Sequence, residues 1–132
     1  MTEAFRRAVE ARDAAAIEAA LAADVTFSSP AVFKPYEGRE ATMNVLRLVM
    51  QVFDEFEYTD VTQGEGSECL IFRARVGDRQ VQGLDYLRFD ADGLVKELTV
   101  MIRPLSGLMA LAEAMRAKLA EAGLLEGQPA SA

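Results

Sequence analysis

Asp85 is the residue with the most chemical promise. It stands in the run Val81-Gln82-Gly83-Leu84-Asp85-Tyr86-Leu87-Arg88-Phe89, where apolar and polar residues alternate with period two. Alternation puts Val81, Gly83, Asp85, Leu87 and Phe89 on one face of a strand, so a carboxylate shares the apolar side. An ionised carboxylate on such a face costs free energy unless it is paired or protonated. Desolvation raises its pKa, and carboxyls perturbed in this way concentrate at functional sites. A group of this kind can act as a general acid, donate to a developing oxyanion, or orient a bound molecule. The structural alternative is a hydrogen bond to a buried N–H or a tyrosine that only fixes the core.

The neighbouring hairpins predict which residues share that face. If Gly77-Asp78 is a two-residue turn, Val76 faces Arg79, Ala74 faces Val81, Phe72 faces Gly83 and Leu70 faces Asp85. If Asp92-Gly93 is another, Leu87 faces Leu98 and Asp85 faces Val100. The inner face then holds Leu70, Phe72, Ala74, Val76, Leu98, Val100 and Ile102 around Asp85, and the outer face holds Ile71, Arg73, Arg75, Leu84, Tyr86 and Arg88. A register slipped by one residue would turn Asp85 to solvent.

Other chemistry is excluded by residue type. The chain has no histidine, so it has no Ser-His-Asp triad, no histidine acid–base group and no His-ligated metal. Its single cysteine, Cys69, precedes Leu70-Ile71 and reads as a small strand residue with nothing to activate it. One Cys and no His make a zinc site untenable, and no phosphate-cradling glycine loop is present. The acidic run Asp54, Glu55 and Glu57 reads as a solvated start of a strand.

The elements that must position Asp85 follow from the periodicities. Residues 3–12 place Ala4, Phe5, Ala8 and Val9 on one helical face, and Asp13 reads as the N-cap of a second helix with Ile17, Ala20 and Leu21 inward. Residues 24–28 read as a strand, 29–38 as a loop broken by Pro30, Pro35 and Gly38, and 39–52 as a third helix. Strands are expected near 55–63, 68–76, 79–90 and 94–103, with Pro104 ending the last. A final helix over 105–122 would turn Leu105, Leu108, Met109, Ala112, Met115 and Leu119 to one side and stop at Gly123. Helices first and a strand meander after is an α+β arrangement, with N-terminal helices packed on a strongly curved antiparallel sheet and an added C-terminal helix.

At 132 residues the chain suits a single domain, expected over 1–126 with a flexible tail at 127–132. It is 51% hydrophobic and 27% charged, as globular proteins are. With 14 basic and 21 acidic residues the net charge is −7, which disfavours nucleic acid and anionic membranes as partners. A signal-peptide pattern is absent from the first residues and no apolar run is long enough to span a bilayer, so a cytoplasmic protein is expected.

The segment Leu21-Ala22-Ala23-Asp24-Val25-Thr26-Phe27-Ser28-Ser29-Pro30, followed by Tyr36-Glu37-Gly38-Arg39, resembles the opening helix–strand–loop of SnoaL-like proteins in the nuclear-transport-factor-2-like superfamily. Gly83 to Val95 resembles that family's strand–turn–strand, and Val100-Met101-Ile102-Arg103-Pro104 closes in a similar way. The resemblance implies a cone-shaped, cystatin-like fold with a pocket between helices and sheet, and a homodimer. In the steroid isomerases of this fold a catalytic Asp precedes the loop proline, where this chain has Ser29, and their first-helix tyrosine falls at Phe5. Their hydrogen-bond-donating Asp matches Asp85. The limonene-epoxide-hydrolase type carries an Arg at the place of Gly83, and the polyketide cyclases and dehydratases rely on histidine.

The expected function is a pocket that binds a small apolar molecule, with no cofactor and no metal. Asp85 would orient the ligand, Tyr36 on the rim loop would be a lesser donor, and Leu70, Phe72 and Leu98 would form apolar wall. One alternative is an isomerase or cyclase using Asp85 as acid or oxyanion donor. Another is a dimeric interaction module with a vestigial pocket. A tyrosine or carboxylate beside Asp85 at an open cavity would favour the enzyme, and a filled cone would favour the interaction module.

Overall fold

In the computed structural model, which describes residues 3–123, helices pack on one face of a curved sheet. The chain order is α1 (Glu3–Glu10), α2 (Ala14–Ala20), β1 (Leu21–Ser28), β2 (Tyr36–Glu37), α3 (Arg39–Val52), β3 (Asp54–Gly64), β4 (Ser67–Val76), β5 (Arg79–Phe89), β6 (Val95–Arg103) and α4 (Leu105–Ala122). The expected tail at 127–132 lies outside the described residues. Local chemistry sets several boundaries. The Asp13 carboxylate accepts from the Ala16 N–H at 3.1 Å and starts α2. Gly123, at φ 73°, ends α4 in the left-handed conformation that glycine adopts most readily. Among the described residues no helix is long and apolar enough to cross a membrane.

The six strands run in the order β2-β1-β6-β5-β4-β3. The sheet is mixed rather than wholly antiparallel, because β1 lies parallel to β6. The chain leaves β1 through α3 and the β3–β5 meander before β6 returns beside it, and that long crossover permits a parallel pair. β2 is a second departure from the sequence reading: within the expected loop, Tyr36 and Glu37 pair with Phe27 and Thr26.

The meander has the predicted register over the inner face. Leu70 lies opposite Asp85, Phe72 opposite Gly83, and Ala74 opposite Val81. Asp85 lies opposite Val100 and Leu87 opposite Leu98. The turn between β5 and β6 is not the two-residue turn expected, however. Asp90 closes it, its carboxylate accepting from the N–H groups of Asp92 and Leu94 at 2.9 and 3.0 Å. A bulge then restores the register, since Arg88 pairs with Glu97 while Phe89 pairs with Val95. Two more irregularities, between Asp54 and Glu57 and between Tyr58 and Asp60, interrupt β3. Bulges of this kind bend and twist a strand, which suits a sheet that wraps around a cavity.

The core has two parts. Under α1, α2 and α3 lie Ile17, Leu21, Leu70, Leu87 and Leu98. Nearer α4 lie Phe72, Ala74, Val76, Val81 and Leu111. Burying each large side chain stabilises the fold by about 1.5–3 kcal/mol. The inward face of α4 differs in part from the expected one. Leu119 is buried and Met115 packs against the core as expected, but Leu105 and Met109 are exposed, and Gly107 and Leu111 are buried in their stead. Gly107 explains the rotation: a Cβ there would sit 2.5 Å from Val81 Cγ1, so the helix approaches β5 on its glycine side. On the outer face Glu57 pairs with Arg73 at 2.6 Å and Glu55 with Arg75 at 3.3 Å, so the acidic start of β3 is matched across the strands by arginines.

Candidate functional site

Between the helices and the concave face of the sheet lies an open cavity of about 420 Å³. That is within the size range of small-molecule sites. Aromatic residues from neighbouring elements form much of its wall. Phe56 stacks on Phe72 with ring centroids 4.8 Å apart, Tyr58 meets Phe56 edge-on at 5.0 Å, and Phe53 tilts against Phe72 at 5.7 Å. Gly83 makes room for this cluster. A Cβ at that position would lie 2.6 Å from Phe72 Cζ and 2.6 Å from the Met101 carbonyl oxygen, so no larger residue fits while Phe72 keeps its place.

Asp85 sits in this wall and is 8% exposed. The phenol of Tyr58 donates to Asp85 Oδ2 at 2.6 Å, reaching from β3 to β5 across β4. Asp85 Oδ1 has no protein partner among the described residues. Burial pushes the Asp85 carboxyl up from 3.8 to about 6, and the hydrogen bond from Tyr58 pulls it partly back. Burial, followed by the adjacent Asp85 charge and the hydrogen bond to it, drives the Tyr58 phenol far above its ordinary value. Tyr58 therefore stays protonated and serves only as a donor. Asp85 exchanges its proton near neutrality, as a general acid or base must.

Four of the residues singled out from sequence lie together on this cavity: Asp85, Tyr36, Phe72 and Leu98. Leu70 does not. It lies opposite Asp85 on the same face, yet it is fully buried within the first part of the core, so it supports the wall from beneath. Tyr36 stands at the rim with its ring stacked on Phe27 at 5.7 Å. Ser29 and Phe5 also line the cavity. The Ser29 hydroxyl accepts from the Val32 N–H at 3.3 Å, a turn-forming role.

Tyr58 was not anticipated. The signal for it was the alternation Glu55-Phe56-Glu57-Tyr58, which sets two aromatics on the face opposite two carboxylates. The bulge between Tyr58 and Asp60 hides the pattern further along, where strict alternation would turn Asp60 inward. Glu68 was missed as well. It is 4% exposed at the end of the inner stripe and accepts from the Gln63 amide at 2.9 Å, away from the cavity. Arg12 and Arg116 were not singled out either, and both line the cavity. Among the described residues no group of three Cys, Asp or Glu side chains is placed to hold a metal ion.

The profile of the SnoaL-like domain matches residues 2–98. The chain is similar to the crystal structure of a steroid delta-isomerase from Pseudomonas aeruginosa, with 36% identity, a TM-score of 0.86, and 92% of this chain and 90% of that one covered. It is also similar to an uncharacterized protein with a cystatin-like fold from Silicibacter pomeroyi, at 32% identity and a TM-score of 0.84, covering 89% and 83% of the two chains. A de novo designed protein with a curved β-sheet shares the fold at 16% identity and a TM-score of 0.67, covering 85% of this chain and 95% of that one. No curated protein matches the chain.

Proposed function

The chain belongs to the SnoaL-like domain family, and on that premise we propose that its cone binds a small, mostly apolar molecule whose oxygen meets Asp85. One observation carries this reading: a buried carboxyl stands in the wall of an open and largely apolar cavity. Because Oδ2 is committed to Tyr58, Oδ1 is the atom left for the ligand. When protonated, Asp85 donates to a carbonyl or ether oxygen. When ionised, it accepts from a hydroxyl. Native mass spectrometry of the gently purified protein, followed by extraction, tests the proposal. The expected result is a small-molecule adduct that is absent in Asp85→Leu. Equal adduct in both proteins would overturn the role of Asp85.

The Tyr58 contact also favours a second reading, an enzyme of the isomerase type. Shifting a double bond beside a carbonyl needs a group that takes one proton and returns it, and a carboxyl near 6 does both at ordinary pH. The similar Pseudomonas aeruginosa protein is described as a steroid delta-isomerase. The proton carrier would differ here, since the position before the loop proline is Ser29 and Asp85 is the carboxylate on the cavity. Turnover of an unsaturated ketone, followed by the absorbance of its conjugated product, should bend near pH 6 and be lost in Asp85→Asn. Turnover that survives in Asp85→Asn would exclude Asp85 as the carrier. The third reading, an interaction module, calls for a cone filled by side chains, and an open cavity speaks against it.

A further inference from the structure

Charge is distributed unevenly between the cavity and the rest of the chain. Acidic residues outnumber basic ones by 21 to 14. Among the described residues the cavity reverses that balance, with two arginines, Arg12 and Arg116, and one carboxylate, Asp85. The arginines come from separate elements: Arg12 from the turn between α1 and α2, and Arg116 from α4. Both are exposed while lining the cavity, which places them at its mouth, whereas Asp85 is buried. Several arginines elsewhere sit beside carboxylates, as Arg7 does with Glu3, Arg47 with Glu18 and Arg73 with Glu57, while Arg39, Arg88 and Arg103 donate to neutral oxygens. Among the described residues neither mouth arginine has such a partner. Arg12 spends one N–H on the Met50 carbonyl oxygen and keeps the rest of its fork free. Arg6 and Glu10, the α1 charges that act on Tyr58, do so in opposite senses and lie outside the cavity lining.

We infer that the natural ligand is an amphipathic organic anion. Its apolar body fills the aromatic cone, its carboxylate, sulfonate or sulfate is held at the mouth by Arg12 and Arg116, and an uncharged oxygen points inward to Asp85. This rests on the pocket proposed above and adds the ligand's charge and direction. The reverse orientation would bring an anion against the Asp85 carboxylate and leave both guanidinium groups without a counter-charge. Guanidinium groups match the planar oxygens of such anions through paired N–H donors.

A matched pair of fluorescent dyes tests the inference. 1-Anilinonaphthalene-8-sulfonate and N-phenyl-1-naphthylamine share one ring system and differ by the sulfonate, and both brighten in apolar surroundings. The native protein should bind the sulfonate about five-fold or more tightly than the neutral dye at low salt, with the preference shrinking at high salt. Arg116→Gln, on an exposed helix position, should reduce sulfonate affinity about three-fold or more at an unchanged melting temperature and leave the neutral dye unaffected. Arg12→Gln should do the same to dye preference. Ala112→Trp, which puts an indole into the cavity, should remove both dyes. Equal affinity for the two dyes, or a preference untouched by both arginine substitutions, overturns the anion inference and leaves the pocket standing. Dye retained in Ala112→Trp places binding elsewhere and overturns the assignment to this cavity. If neither dye binds the native protein, the pocket proposal falls and this inference with it.

Discussion

Replacing Asp85 by Asn should stabilise the protein above neutrality and change little in acid. The reasoning starts from the buried carboxyl, whose pKa rises from 3.8 to about 6 on folding. At low pH both the folded and unfolded states hold the proton, and no stability is lost. Between the two values the unfolded chain releases the proton while the folded protein keeps it, so stability falls as pH rises. Above about 6 the cost is complete, and the gap from 3.8 to about 6 corresponds to about 3 kcal/mol at pH 8. About half of that cost is present at pH 5. Asparagine has the same shape, carries no charge, and keeps an oxygen to accept from Tyr58. The expected outcome is therefore a gain of about 3 kcal/mol at pH 8 for Asp85→Asn, shrinking toward zero near pH 4. Urea unfolding of both proteins at pH 4, 5, 6 and 8 measures it. A difference that does not vary with pH, or a loss of stability at pH 8, would refute the desolvated-carboxyl reasoning.

Further outcomes follow from neighbouring contacts. Tyr58→Phe removes the donor that pulls the Asp85 carboxyl down, so carboxyl-carbon NMR titration should show Asp85 titrating at higher pH than in the native protein. The same change should cost about 1–3 kcal/mol at pH 8, read by urea unfolding, because a buried carboxylate loses its partner. Gly83→Ala should destabilise by about 1–3 kcal/mol and alter the near-ultraviolet circular dichroism of the aromatic cluster, since the new methyl meets Phe72 and the Met101 carbonyl oxygen at 2.6 Å each. Thr42, fully buried on α3, has a hydroxyl with no hydrogen-bond partner among the described residues. Thr42→Val should leave the melting temperature unchanged or raise it, by an amount corresponding to about 1 kcal/mol.

Much of the architecture was legible because local signals agreed with one another. Helical spacing marked α3 over 39–52, and Gly77-Asp78 set the β4–β5 register through Leu70 opposite Asp85. That register depends on the turn between the strands and on the contrast between two faces, both of which are written in neighbouring residues. The parts that were not legible depend on residues far apart. β2 exists because Tyr36 and Glu37 find an edge on β1, and nothing in a stretch rich in proline announces that pairing. The inward side of α4 was legible at Met115 and Leu119 but not at its start, where Leu105 and Met109 looked like core while the close approach is made by Gly107 against Val81. At the site, Asp85 was visible as an apolar-face carboxylate, but Tyr58 reaches it across an intervening strand, beside bulges that a period-two pattern does not contain.

The fold alone does not decide between holding a molecule and transforming it. A designed curved sheet shares this architecture, as does a protein described as a steroid delta-isomerase, so what the fold is used for is set by side chains. Among the described residues Asp85 is the one carboxylate on the cavity, and one of its oxygens is occupied by a phenol that stays protonated. On the proposed reading, a proton leaving a bound molecule would go to Asp85 Oδ1, and a proton delivered would come from it. Chemistry needing separate acid and base groups is therefore poorly served, since Ser29 is a weak base whose hydroxyl already accepts from the Val32 N–H. Chemistry in which one carboxyl carries a single proton between two positions of one ligand is well served. So is simple retention, in which Asp85 fixes the ligand's direction. The two uses part at one observable. Retention requires only a hydrogen bond, so Asp85→Asn should still bind, whereas carriage requires a titrating group and should end with that substitution.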